Sequence, residues 1–314
     1  PLPLASRLYE ICQTLCTLDT GASRLHLLLL RPQLFKANSK IQSVNVTKFC
    51  LPTVNGTTGE SPSLSVAERK ALAEEWCGKA RGRMDQVVVH VGAMSLRDSQ
   101  DLARHAAQIG ADGIAVIAPF FFKPKTADAL RKFLQEVASA ASALPFYYYQ
   151  IPAITGINSQ WLVEGIEQLI PSFRGVKFSG MDLMDLGQCV MHSQPQWSIL
   201  YGVDEVSLNC TIAGDEPLSA NFLTSVSSCS TFNYLGSHVN KLLSAFETGD
   251  LIQARALQVL PMRLLLVASF DVGVNKQLMM EVSGLHLGPP RLPLMPCPLE
   301  RSEKILQKYR SLFP

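Results

Sequence analysis

Charge is scarce in this sequence: Asp, Glu, Lys and Arg supply 17% of its 314 residues, against about 25% in ordinary soluble domains. A chain with so little charge has much interior, which favours one large α/β domain over two small ones. The 47% of hydrophobic residues excludes intrinsic disorder. The net charge of +2 offers no electrostatic footing for nucleic acid. Long apolar runs are missing too, so no membrane segment is expected. His26 to Leu30 ends at Arg31 and Pro32, far short of the ~18 residues a membrane helix needs. No basic stretch leads into an apolar segment and a small-residue cleavage site, so no signal peptide is read, and the sequence starts at Pro1 rather than Met. The eight cysteines (Cys12, Cys16, Cys50, Cys77, Cys189, Cys210, Cys229 and Cys297) form no CxxC pair. That excludes a disulfide framework and leads to the expectation of reduced thiols in a cytoplasmic protein. Cys12, Cys16 and His26 do not complete a metal-ligand set. Also absent are a Walker loop, a G-x-S-x-G elbow, an H-E-x-x-H pair and a G-x-G-x-x-G fingerprint.

What is present is a rhythm. From residue 54 onward, short apolar runs alternate with stretches of helical period. The runs are Val87 to Gly92, Gly113 to Pro119, Pro145 to Tyr149, Gly175 to Phe178 and Ser198 to Tyr201. Runs apolar on both faces and rich in Val and Ile suit parallel strands buried on both sides. Helices are expected over Ser65 to Arg83, Leu96 to Ile109, Thr126 to Ala143 and Ser159 to Ile170. Ser65 and Glu68 have capping-box spacing. A repeat of roughly 25 to 33 residues matches a βα unit, and its recurrence means a (β/α)₈ barrel or a doubly wound sheet. After Asn233 the pattern is helical, through Val239 to Thr248, Leu251 to Phe270, Asn275 to Val282 and Glu300 to Leu312.

Parallel α/β folds collect functional groups at the carboxyl ends of their strands. Asn55-Gly56-Thr57-Thr58-Gly59-Glu60 follows one run. Its glycines permit a tight turn, and its hydroxyls and N–H groups can hold an anion; the alternative is a plain βα turn. Tyr147, Tyr148 and Tyr149 end another run. Tyr147 and Tyr149 share a face, where a phenol can relay a proton or simply pack. Lys177 lies inside an apolar strand. Lysine is rarely buried without a partner or a task, and a desolvated amine can attack a ketone to form a Schiff base. The alternative is a lysine whose stem snorkels to water. Gly202-Val203-Asp204-Glu205 ends the next run, with acids able to hold a polyol or cap a helix.

Eight ordered segments carry a resemblance to a known family. They are VNGTTGE (54–60), HVGAMSL (90–96), IGADGIAVIAPFF (109–121), LPFYYYQIPAITG (144–156), GVKFS (175–179), YGVDE (201–205), STFNYLG (230–236) and VSGLHLGPPRLPL (282–294). Over residues 54 to 312 the chain resembles the dihydrodipicolinate synthase/N-acetylneuraminate lyase family of pyruvate-handling class I aldolases. The resemblance implies a (β/α)₈ TIM barrel over residues 54–236 and a helical extension over 237–314. It implies Lys177 as the Schiff-base lysine and Tyr149 as the proton relay. Thr57 and Thr58 would bind the substrate carboxylate. Gly202, Asp204 and Glu205 would hold sugar hydroxyls, helped by Ser179 and Ser230. The implied reaction is reversible cleavage of N-acetylneuraminate to N-acetylmannosamine and pyruvate. No metal or organic cofactor is implied, because the lysine supplies the electron sink. Family members are commonly tetramers, so a homotetramer is expected. Relatives that make dihydrodipicolinate carry an arginine where Ile154 stands, which favours the lyase over the synthase.

Three stretches depart from the family pattern. Residues 1–53 show no convincing first strand; Ile41 to Val46 alternates weakly, and Pro52 falls where the second barrel strand should run. Gly214 to Cys229 is longer and richer in serine than the family's connection. Phe120, Phe121 and Phe122 stand where some relatives place a tyrosine that reaches a neighbouring subunit. Two further readings follow: a catalytically impaired homologue or incomplete-barrel variant that binds keto acids without turnover, and an aldolase for another 2-keto-3-deoxy acid.

Overall fold

Gly113–Ile117 contains no polar side chain and is buried along its whole length, as a strand covered on both faces must be. It is the third strand (β3) of a six-stranded sheet in the computed structural model, which describes residues 53–81, 86–157, 160–203, 230–268, 271–284 and 286–313. The others are β1 (Thr53–Val54), β2 (Val88–His90), β4 (Phe146–Gln150), β5 (Phe173–Phe178) and β6 (Ser198–Tyr201). They run in sequential order, and every neighbouring pair is parallel. Sequential parallel order is the pattern of a barrel wall rather than of a doubly wound sheet, whose strand order reverses. The weakly alternating stretch 41–46, Pro52, the acids Asp204 and Glu205, and segment 214–229 lie outside the described residues.

Helices fill the connections. The first, α1 (Val66–Ala80), starts at the expected Ser65 cap. Glu68 N–H donates to the Ser65 hydroxyl at 3.3 Å, and the Glu68 carboxylate accepts from Ser65 N–H at 2.9 Å. Such a cap is worth about 0.5–2 kcal/mol. Next come α2 (Leu96–Gln108) and α3 (Ala127–Ser139), capped by Ser95 and Thr126. Leu102, Ala106, Leu130, Leu134 and Val137 are their inward residues, all buried against the sheet. The single helix expected over 159–170 is instead interrupted. A short turn, α4 (Pro152–Thr155), precedes α5 (Gln160–Val163) and α6 (Ile166–Leu169), and Gly165 between the last two takes a left-handed φ of 65°. That backbone leaves the helical ladder, which glycine does at little steric cost. A helix the sequence reading lacked, α7 (Leu183–Met191), is capped by Asp182, which accepts from Met184 N–H and Asp185 N–H.

The C-terminal helices are α8 (Phe232–Glu247), α9 (Leu251–Ala268), α10 (Val272–Ser283) and α11 (Leu299–Leu312). α8 begins earlier than the apolar pattern from Val239 implied. Tyr234, Leu235, Leu264, Val274, Leu278 and Ile305 join the same buried cluster as the strand residues Ile114, Val116, Phe146 and Phe178. The C-terminal helices therefore share the core of the sheet. No helix among the described residues is long and apolar enough to cross a membrane.

Candidate active site

The carboxyl ends of β1, β4, β5 and β6 converge, and the local backbone explains how. After β1 the chain turns sharply through Asn55 (φ 61°) and Glu60 (φ 55°), both in the left-handed region. Asparagine tolerates this region better than most residues. Glu60 N–H donates to Thr57 C=O at 3.0 Å and closes the turn. The turn thereby presents Thr57 and Thr58, the expected carboxylate-binding pair. In β4, the alternation expected from the three tyrosines holds. Tyr148 is fully buried on the helix side and donates to Gln150 at 2.8 Å, while Tyr149 faces the other way. Its hydroxyl lies 3.0 Å from the Thr57 hydroxyl.

Lys177 sits directly across from Tyr149 in the β4–β5 register. Its Nζ lies 4.4 Å from the centroid of the Tyr149 ring, a distance at which a cation and a π face attract. Gly175 makes this register possible. Its φ is 145°, and a methyl group there would collide with the main chain of Ser198 in β6. The β4–β5 register shifts beside it, between Phe146 and Tyr147. Lys177 is half-buried, so the amine combines an apolar strand setting with access for a small molecule.

Two residues further on, Ser179 points to the same side as Lys177, as strand alternation requires. Its Oγ is buried and has no hydrogen-bond partner among the described residues. Gly202, past the end of β6, packs against it, and a Cβ at position 202 would collide with the Ser179 hydroxyl. An orphaned buried hydroxyl needs an explanation; a ligand hydroxyl fits that geometry. Ser230 is also buried, but its Oγ meets the Thr58 hydroxyl at 2.5 Å. Ser230 thus joins the turn that carries Thr57 and Thr58. Of the expected residues, Lys177, Tyr149, Thr57, Thr58 and Ser230 form one connected group, and Ser179 with Gly202 flank it. Asp204 and Glu205 fall outside the described residues. Phe121 and Phe122 are strongly exposed and carry no hydroxyl. Among the described residues no cluster of His, Cys, Asp and Glu has the make-up of a metal site.

Sequence reasoning missed two groups behind the site. His90, in β2, is buried with its ring edge-on to Tyr149, 6.0 Å between centroids. Ile117 N–H donates to its Nε2 at 3.3 Å. Arg69 is buried beside it, donating to Gly92 C=O at 3.0 Å and to His90 C=O at 2.7 Å. Desolvation brings the Arg69 guanidinium down to about 10, still protonated at neutral pH. Burial, then the charges of Arg69 and Lys177, hold His90 well below the ordinary histidine range. The only local signal for His90 was one titratable residue in the apolar run VVVHVG.

The pH dependence follows from this depression. The unfolded chain protonates His90 near its ordinary value of 6.5 and the folded chain does so only well below it. Stability is therefore present above about pH 6.5 and lost as pH falls beneath it, at up to ~1.4 kcal/mol per pH unit for one proton. His238 is depressed too, by burial and then by Lys241, and adds to the slope. Thermal unfolding between pH 7 and 5 is expected to show Tm falling, and His90→Gln to make the fall shallower. An unchanged slope in that variant would remove His90 from the account.

With a parallel βα wall and a strand-borne lysine beside a tyrosine and a two-threonine turn, the molecule falls in the class of α/β proteins built around a polar site at the strand ends. Residues 52–310 match the dihydrodipicolinate synthetase family, and the chain belongs to it. It is 54% identical to N-acetylneuraminate lyase of Danio rerio, over 82% of this chain and 83% of that protein. The native N-acetylneuraminate lyase (sialic acid aldolase) of Aliivibrio salmonicida superposes with a TM-score of 0.75 at 30% identity, over 83% of this chain and 84% of that one. A catalytic lysine mutant of Ruminococcus gnavus sialic acid aldolase superposes with a TM-score of 0.74 at 26% identity, over 83% of each chain.

Proposed function

We propose that this chain is a carbon–carbon lyase that cleaves N-acetylneuraminate to N-acetylmannosamine and pyruvate through an imine on Lys177. The observation that carries the mechanism is the Lys177 amine 4.4 Å over the Tyr149 ring, with the Tyr149 hydroxyl 3.0 Å from Thr57. The choice of substrate rests on the similarity to N-acetylneuraminate lyase along most of both chains.

In this mechanism the open-chain sugar acid seats its carboxylate on the hydroxyls and N–H groups of the Thr57–Thr58 turn. That fixes the adjacent C2 ketone at Lys177. The amine adds to C2, and the Tyr149 hydroxyl gives the proton with which the carbinolamine hydroxyl leaves as water, so that an iminium and a tyrosinate remain. Tyr149 accepts the C4 hydroxyl proton as the C3–C4 bond breaks. The bonding pair moves into the iminium as an enamine, and C4 leaves as the aldehyde of N-acetylmannosamine. Protonation at C3 and hydrolysis then release pyruvate and restore the amine. The positive charge of Arg69, buried beside His90, favours an anionic substrate nearby. The Ser179 hydroxyl, which has no hydrogen-bond partner among the described residues, together with Gly202, Asp204 and Glu205, would meet the hydroxylated end of the substrate.

The same reading extends to the whole molecule. A closed (β/α)₈ barrel needs two strands beyond the six described. A homotetramer would cover exposed apolar residues such as Phe121 and Phe122. A reducing compartment such as the cytoplasm suits the buried thiols Cys77 and Cys189.

Incubation with N-acetylneuraminate, assayed for both products, tests the substrate. Equimolar pyruvate and N-acetylmannosamine are expected. Soluble, cooperatively unfolding protein that releases neither would contradict the reading. Cleavage of a different 2-keto-3-deoxy acid alone would keep the chemistry and replace the substrate.

A further inference from the structure

Glu60 ends the Thr57–Thr58 turn in a left-handed conformation that a glutamate does not adopt by preference. Its carboxylate is 5% exposed and is ion-paired with Lys276 of α10, itself 2% exposed. The second carboxylate oxygen accepts from Arg291 N–H at 2.6 Å. Lys276 Nζ also donates to Pro289 C=O at 3.3 Å. The Arg291 side chain then forks onto Glu68 of α1, donating from Nη2 at 2.6 Å and from Nη1 at 3.1 Å. Lys276 and Arg291 lie more than 200 residues beyond Glu60 in the chain. Two separate pieces of the C-terminal extension thus end on one carboxylate, and that carboxylate terminates the turn that carries Thr57 and Thr58.

A buried ion pair is a poor stabiliser. Desolvating both charges offsets much of their attraction, and apolar residues of similar size often serve stability equally well. Its better-attested use is to fix one arrangement among several. Here it fixes a turn in a backbone region that a glutamate would otherwise leave. The turn's hydroxyls in turn touch Tyr149 at 3.0 Å and Ser230 at 2.5 Å.

We infer that Lys276 and Glu60, braced by Arg291, are positioning residues for substrate binding: the C-terminal extension clamps the turn that receives the keto-acid carboxylate. Neither side chain touches the substrate. They act through the placement of Thr57 and Thr58, so their loss weakens binding of the carboxylate more than it impairs the amine. The inference rests on the proposed imine chemistry, and its test separates the two.

Full-length protein is titrated with pyruvate, trapped with borohydride, and the modified fraction read by intact mass. Wild type that never traps pyruvate would overturn the imine reading itself. Given trapping by wild type, Lys276→Met combined with Glu60→Gln, which leaves no buried unpaired charge, is expected to raise the half-saturating pyruvate concentration about tenfold or more. The maximal modified fraction is expected to stay close to that of wild type. A merely structural pair would do the reverse, lowering the competent fraction and leaving half-saturation unchanged. Arg291→Ala removes the half-buried fork onto Glu68 and leaves Glu60 paired with Lys276, and serves where the double variant does not fold; a smaller rise is expected from it. Unchanged half-saturation in whichever variant folds would overturn the clamp.

Discussion

Lys177→Met is expected to fold and to lose turnover by on the order of 10⁴–10⁶-fold, the scale on which removal of a covalent nucleophile acts elsewhere. Methionine nearly matches the lysine stem in length, so the packing of β5 against β4 and β6 is preserved. What goes is the amine, and with it, in the proposed mechanism, the electron sink that accepts the bonding pair of the C3–C4 bond. The lost attraction to the Tyr149 ring is worth only about 0.5–1 kcal/mol at a site open to water. Tm should therefore move by a few degrees at most. Measured together, kcat and Tm separate the two kinds of loss. Turnover that survives in Lys177→Met would remove the imine from Lys177. A collapse of Tm without a specific loss of kcat would assign the residue to the fold.

Tyr149→Phe is the next largest effect, an expected loss of about 10²–10⁴-fold in kcat, the usual share of a positioned acid–base group. The ring stays, and so does the surface under the Lys177 amine. The hydroxyl goes, and the Thr57 hydroxyl loses its 3.0 Å partner. Bond cleavage needs a proton taken from the C4 hydroxyl, and no tyrosine from the Phe120–Phe122 segment is there to help. Reduction-trapped pyruvate should still appear on Lys177, more slowly. The contrast matters: Lys177→Met abolishes the adduct, whereas Tyr149→Phe retains it and stalls turnover. Steady-state kcat within about threefold of the parent would take the proton relay away from Tyr149.

The parts of this site that were legible in the sequence have local signatures. Lys177 is one charge in an apolar strand. Thr57 and Thr58 sit between two glycines that announce a turn. Tyr149 closes a run whose alternation fixes its face, and the alternation held in Tyr148 and Tyr149 alike. The strands were legible because burial on both faces demands unbroken apolar runs, and the helix start at Val66 because its cap is written in Ser65 and Glu68; the caps at Ser95 and Thr126 are added by the structure. Gly165 defeated the helix expected over 159–170, since a lone glycine is compatible with either a helix or its interruption. The α7 helix was missed although Asp182 caps it. The buried cations were illegible for a different reason. Arg69 reads as one more charge on a helix rich in them, and its burial is decided by the carbonyls of His90 and Gly92, at and just past the end of β2. The Lys276–Glu60 pair joins residues from opposite ends of the described chain, and pairing over that distance leaves no periodicity to detect. Ser230, expected at the sugar hydroxyls, is held against Thr58 because α8 begins just after it, a contact between distant segments that no local pattern announces.

The most direct measurement is peptide mapping of the protein after incubation with pyruvate and borohydride. The account predicts one modified peptide, carrying the reduced adduct on Lys177, in a soluble protein that unfolds cooperatively. An adduct on another lysine, or none at all in folded protein, would contradict it.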